Sequence, residues 1–188
     1  MAELQDYSGE FRPDLNMRDF SKDALIGLWQ AAGKMYIGVD GLWHDMVREC
    51  YGEEAALELS TQIWLRRGGS EMEVSRVRQA MRILGDDVAS YLKFLQVDPG
   101  FAGVMDIQCE LKDENHGIVT VKRCRPLESL EKLGDTQLQK HVCEVLDQEG
   151  FQVGCRMFNP KMKAIPLKLP PRESKNDIAC QWEFRMDA

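Results

Sequence analysis

The chain has no Cys-x-x-Cys pair, no long apolar run and no excess of basic charge. Each absence removes a class of function. Without Cys-x-x-Cys, the compact zinc and thiol-redox signatures are missing. No stretch approaches the roughly 18 apolar residues of a membrane-spanning helix. The 24 Lys and Arg are outnumbered by 31 Asp and Glu, for a formal net charge of -7. General nucleic-acid binding needs clustered cations instead, to displace counterions. The N-terminus, Met1-Ala2-Glu3-Leu4-Gln5-Asp6, lacks the basic start and apolar core of a secretion signal. No internal repeat is visible. The expectation is a cytoplasmic protein that binds neither membrane nor nucleic acid.

What is present is a balanced composition, 44% hydrophobic and 29% charged over 188 residues, as in soluble globular chains. Residues 1–19 are polar and read as an extended arm. Ser21 is a plausible helix N-cap with Asp23 in the first turn. A long stripe follows, Leu25, Leu28, Trp29, Ala32, Met35, Tyr36, Val39, Leu42, Trp43, Met46 and Val47, on one helical face. Gly33, Gly38 and Gly41 interrupt it, each costing about 1 kcal/mol against Ala. They mark a bend or a close approach by another backbone or a ligand. A second helix opens at Glu53-Glu54 and ends at Gly68-Gly69. Ser70-Glu71-Met72-Glu73 fits a capping box for a third. Asp86 or Asp87 caps a fourth, which stops before Pro99-Gly100.

After Gly100 the period changes to two. Val104 to Leu111 and Gly117 to Cys124 form a hairpin about the turn Lys112-Asp113-Glu114-Asn115, ended by Pro126. Asp135 caps a helix closed by Gly150. Val153, Cys155 and Met157 alternate as a third strand. Four prolines between 160 and 171 hold an extended loop up to residue 176. Ile178, Cys180, Trp182, Phe184 and Met186 then alternate with Ala179, Gln181, Glu183 and Arg185. That is a strand with one buried face, placed inside the sheet to cover Trp182 and Phe184. The expected fold is α+β, with N-terminal helical hairpins packed on a C-terminal antiparallel sheet with one crossing helix. Residues 20–188 form a single domain, with a helical half (20–99) and a sheet half (100–188).

The chain's six cysteines are Cys50, Cys109, Cys124, Cys143, Cys155 and Cys180. Thiols, thiolates or metal ligands are expected of them rather than disulfides. Core packing accounts best for Cys50 and Cys109. Cys124, Cys143, Cys155 and Cys180 all fall in the sheet half and admit three readings. They pack as small hydrophobes, they bind zinc or an iron-sulfur cluster as four thiolates, or one is a nucleophile. His116 and His141 are possible substitute ligands, although each reads more simply as a surface histidine. Cys124 has the most electropositive setting, between Arg123 and Arg125 and after Lys122.

A cysteine after a hairpin, a helix with Cys143 and Asp147, and a terminal Asp177…Cys180-Gln181-Trp182-Glu183-Phe184 together resemble the L-2-amino-thiazoline-4-carboxylate hydrolase family. The likeness is closer still to an uncharacterised related group of bacterial and archaeal proteins. That group has a similar N-terminal segment, here Asp40-Gly41-Leu42-Trp43 followed by Gly52-Glu53-Glu54-Ala55-Ala56-Leu57-Glu58-Leu59. The likeness spans about residues 20–187. It implies a hydrolase of a small cyclic amidine or related carbon–nitrogen bond, with Cys124, Cys143 and Cys180 matching the family's cysteines. Cys155 is additional to the hydrolases and favours a four-thiolate metal site.

The leading expectation is a small-molecule site between the two halves, centred on Cys124, Cys143 and Cys180, with Trp43 and Trp182 as apolar walls. Arg123, Arg125 and Arg156 are placed to meet an anion. The alternative is a non-catalytic metal-binding or ligand- or redox-sensing module. A third reading is a homodimer formed through the stripe from Leu25 to Val47.

Overall fold

The computed structural model describes residues 3–186. Met1 and Ala2 of the expected arm lie outside the described residues. The rest of the arm is largely irregular and folds back on the chain. Leu4 N–H donates to Asp19 O at 2.8 Å and Ser21 N–H to Leu4 O at 2.9 Å. Helix α1 (Lys22–Tyr51) then runs for 30 residues, capped by the Ser21 hydroxyl, which accepts from Ala24 N–H. Helices α2 (Glu53–Thr61), α3 (Gly69–Met81) and α4 (Val88–Val97) complete the helical half. A π-turn, Gln62–Arg66, extends α2.

The fold is α+β. Strands β1 (Met105–Asp113), β2 (His116–Cys124), β3 (Met162–Lys168) and β4 (Cys180–Met186) form one antiparallel sheet in the order β1-β2-β4-β3. β4 is interior, as its alternation requires, and Trp182 and Phe184 are fully buried. Helix α4 lies on the sheet at Gly117, where a Cβ would come within 2.7 Å of Leu92 Cδ1. Tyr91, Phe94, Phe151, Phe158, Trp182 and Phe184 form a continuous aromatic core under it. Arg78 pins α3 to this core. Its guanidinium donates to the carbonyls of Met157, Ile83 and Gly85 and sits 3.9 Å from the Phe158 ring centroid.

Four local expectations fail. Val153, Cys155 and Met157 belong to helix α7 (Asp147–Phe158), not to a strand. Phe151, Gly154, Cys155 and Phe158 share the spacing of one helical face, and three of them are buried. The third strand lies further on at Met162–Lys168, inside the proline-rich stretch. β3 is a sheet edge, where Pro166 is tolerated. Pro126 does not merely end β2; it sits in the first turn of helix α5 (Arg125–Leu133). Ser70 and Glu73 form no capping box, because α3 starts from Gly68 in the left-handed conformation with no side-chain cap. Helix α6 (Thr136–Lys140), a π-turn at His141–Leu146 and α7 run on as one rod capped by Asp135.

The stripe on α1 is the largest surprise. Leu28, Met35, Val39, Leu42, Trp43 and Met46 are exposed, and the buried residues of α1 are Gly33 and His44. Gly33 meets the turn after α4, where an added Cβ would lie 2.1 Å from Pro99 O. This is the close backbone approach that one of the three stripe glycines serves.

Candidate functional site

A cavity of about 500 Å³ lies between α1 and the sheet-bearing body. Gly38 and Gly41 of α1 form part of one wall. Cys124, Cys143 and Asp147 stand on the opposite side, from the start of α5, the π-turn and the start of α7. A π-turn widens the helical rod locally and is common at functional sites. Behind these three residues is a chamber of about 20 Å³, which Cys180 and Trp182 also line. It has room for about one water-sized group. The structure therefore brings Cys124, Cys143 and Cys180 to one place, with Asp147 beside them.

Cys124 is the N-cap of α5, and its Sγ accepts from Leu127 N–H at 3.5 Å. A helix N-terminus favours the thiolate. Burial nevertheless dominates and pushes the Cys124 thiol up to about 12, with the Leu127 N–H opposing and Asp147 adding to the rise. Burial, then Asp147 and the two neighbouring thiols, raise Cys143 further still. Burial pushes Cys180 up to about 12, opposed by the Trp182 indole and reinforced by Asp147. Asp147 itself is raised to about 7 by burial. It is enclosed by protein yet keeps part of its surface on the cavity. The resting site thus holds protonated thiols beside a carboxyl that titrates near neutrality.

Two buried polar atoms at the site make no hydrogen bond of normal geometry among the described residues. Trp182 is 1% exposed, and its Nε1–H is left with the neighbouring Cys180 thiol. His44, on α1, lines the large cavity and is 9% exposed. Its Nδ1 shares a 3.1 Å hydrogen bond with Ser60 Oγ, while Nε2 is buried and unpartnered. Such orphans cost free energy unless a ligand or water completes them.

Other expected residues are elsewhere. Cys155 is fully buried on α7 against Tyr91, whose hydroxyl opposes the rise that burial causes in the Cys155 thiol. It lines neither chamber. Among the described residues no three His, Cys, Asp or Glu side chains are grouped so as to hold a metal ion. The four-thiolate set Cys124, Cys143, Cys155 and Cys180 is therefore not assembled, because Cys155 points from a helix into the aromatic core. Trp43 is 66% exposed on α1 and is no pocket wall. Arg123 pairs with Glu128 at the surface, Arg156 is exposed, and Arg125 stands at the cavity. His116 contacts Glu183 at 3.0 Å, and His141 contacts Thr61 at 3.2 Å.

Sequence reasoning missed the acidic wall made by Asp40, Glu73 and Asp98, and it missed Asp147 as a site residue in its own right. One signal for Glu73 was available. Ser70, Glu73, Val74 and Val77 share a helical face, so an acid stands among inward positions.

No helix among the described residues is long and apolar enough to cross a membrane. No curated protein and no solved structure matches the chain. A family model does match, over residues 18–186, and the chain belongs to that family, DUF6125, a family of unknown function.

Proposed function

We propose that this is a cytoplasmic small-molecule enzyme that hydrolyses a carbon–nitrogen bond, of a cyclic amidine or a related amide, at Cys124. The observation that carries this reading is the placement of Cys124 Sγ. It caps α5, lines the cavity, and has Asp147 beside it. The likeness to the L-2-amino-thiazoline-4-carboxylate hydrolases at Cys124, Cys143, Asp147 and Cys180 points the same way.

In this reading Cys124 Sγ adds to the carbon of the C–N bond while its proton passes to the Asp147 carboxylate. Asp147 returns that proton to the departing nitrogen as the C–N bond breaks. Water then adds to the thioimidate or thioester, the C–S bond breaks, and the thiol re-forms. A carboxyl near neutrality suits both proton transfers. The Trp182 N–H and the small chamber provide a donor for charge that develops beside Cys180. Cys143 and Cys180 shape this end and are nucleophiles of second rank, because Cys124 alone of the three accepts a helix-terminal N–H.

The test is amine or ammonia release from a panel of cyclic amidines, lactams and simple amides. Cys124→Ser should lower turnover at least about a hundredfold, as expected for loss of a nucleophile that works with a base. Unchanged turnover in Cys124→Ser would overturn the assignment. A second reading, a ligand- or redox-sensing module without turnover, is favoured by one observation: every thiol of the site is held protonated at rest. Saturable binding from the same panel with no product would select it.

A further inference from the structure

Helix α1 is packed along one side. Its buried residues, Gly33 and His44, stand about three turns apart on one face. There Gly33 meets the Pro99 carbonyl and His44 reaches Ser60 of α2. The apolar stripe runs along the far side. Leu28, Met35, Val39, Leu42, Trp43 and Met46 are each 48–69% exposed. A contiguous apolar face of this extent is rare on a monomer and marks an interaction site. The open surface of these side chains approaches the ~800 Å² that each partner of a standard interface buries. Met and Trp are also among the residue types enriched at interfaces.

Charge and spacing choose the occupant. Helix α1 carries Lys22, Lys34 and Arg48 against Asp23, Asp40, Asp45 and Glu49. A helix that lies on a lipid surface is instead rich in Lys and Arg along its polar face. Leu25, Leu28, Ala32, Met35, Val39, Leu42 and Met46 alternate steps of three and four over three heptads, so the seam of one copy interdigitates with that of another. Glu49 takes the next step and ends the seam. Parallel pairing would set Glu49 of one copy against Glu49 of the other. Antiparallel pairing brings it to the Lys22 end of the second helix and opposes the two helix dipoles.

We propose that two copies of this chain pair through α1 in an antiparallel, two-fold interface, with Met35, Ala32 and Leu28 of one copy against Val39, Leu42 and Met46 of the other. Such an interface is isologous and closes at two subunits. Trp43 flanks the seam and supplies the large aromatic that dominates interfaces of this kind. Leu42 also lines the cavity, so the interface runs along the cavity's rim. The pairing goes beyond the chemistry assigned to Cys124 and does not depend on it.

The experiment is sedimentation of the full chain and of Val39→Glu over one concentration series. The expected result is a dimer whose dissociation midpoint rises at least about tenfold in Val39→Glu, because a charge then faces the apolar seam. Leu84→Glu, on the turn after α3 and 84% exposed, should leave the midpoint where it was. Orientation is read from spin labels on Asp23→Cys in a Cys50→Ser background. Antiparallel copies hold the labels at least about 40 Å apart, from a rise of ~1.5 Å per residue about a midpoint near Ile37, and parallel copies hold them within about 30 Å. A strict monomer overturns the proposal, and its flotation with phosphatidylcholine vesicles would give the face to a lipid surface. A dimer that Val39→Glu leaves intact, or labels at the short distance, overturns it as well.

Discussion

Asp147 decides how the site responds to pH. Its folded-state pKa, about 7, lies above the ordinary 3.8 because the carboxyl is buried. The folded protein therefore binds the proton more tightly than the unfolded chain. Its contribution to stability is fully present below about pH 4 and is lost as pH rises through 7. Asp147→Asn should raise stability at pH 8 by on the order of 2 kcal/mol and change little at pH 4, less than the full shift implies because the group touches the cavity. Urea titrations at the two pH values check this. Equal effects at both would show that the carboxyl is not raised.

The thiols make a second prediction at the same scale. Cys50 is exposed, whereas burial holds Cys124, Cys143, Cys155 and Cys180 protonated. With neutral iodoacetamide at pH 8, Cys50 should be alkylated first and these four at least about tenfold more slowly. Site-resolved mass spectrometry gives the order.

At the scale of elements, the docking of α1 depends on one glycine. Gly33→Ala places a methyl against the Pro99 carbonyl, which is backbone and cannot swing aside. The substitution should cost about 1–3 kcal/mol despite the better helix propensity of Ala. Gly27→Ala, on the same helix with open space around it, should instead be neutral or stabilising. Denaturation of the two variants side by side separates packing from propensity.

Elements also show where the sequence was legible. The hairpin and β4 were readable because alternation and burial agree along them, with Val119, Val121, Trp182 and Phe184 all inward. Helix α5 was not, because a proline after a strand reads equally as an end and as a first turn. The cap that decides is a cysteine, not one of the usual Ser, Thr, Asp or Asn. Val153 to Met157 alternates over too short a span to exclude the helical period that wins. The clustering of Cys124, Cys143 and Cys180 was anticipated, but the exclusion of Cys155 was not, since its direction follows from that same period. The acidic wall joins residues from α1, α3 and the end of α4, and no local pattern records such a meeting.

At the scale of the whole molecule, the α1 stripe remains open to solvent. Leu25, Leu28, Ala32, Met35, Val39, Leu42 and Met46 follow alternating steps of three and four, the seam spacing of a helix that pairs with another helix. Sedimentation over a concentration series should show a dimer, which Leu42→Glu returns to monomer. A strict monomer throughout would remove that reading and leave the stripe without a role in assembly.

The central claim is that Cys124 is the nucleophile of the cavity. Incubation with the cyclic amidines, lactams and amides of the panel, an acid quench and site-resolved mass spectrometry test it most directly. The predicted result is a substrate-derived adduct on Cys124 that is absent from Cys124→Ser, together with the loss of turnover in that variant. An adduct confined to another cysteine, or undiminished turnover in Cys124→Ser, would contradict the account.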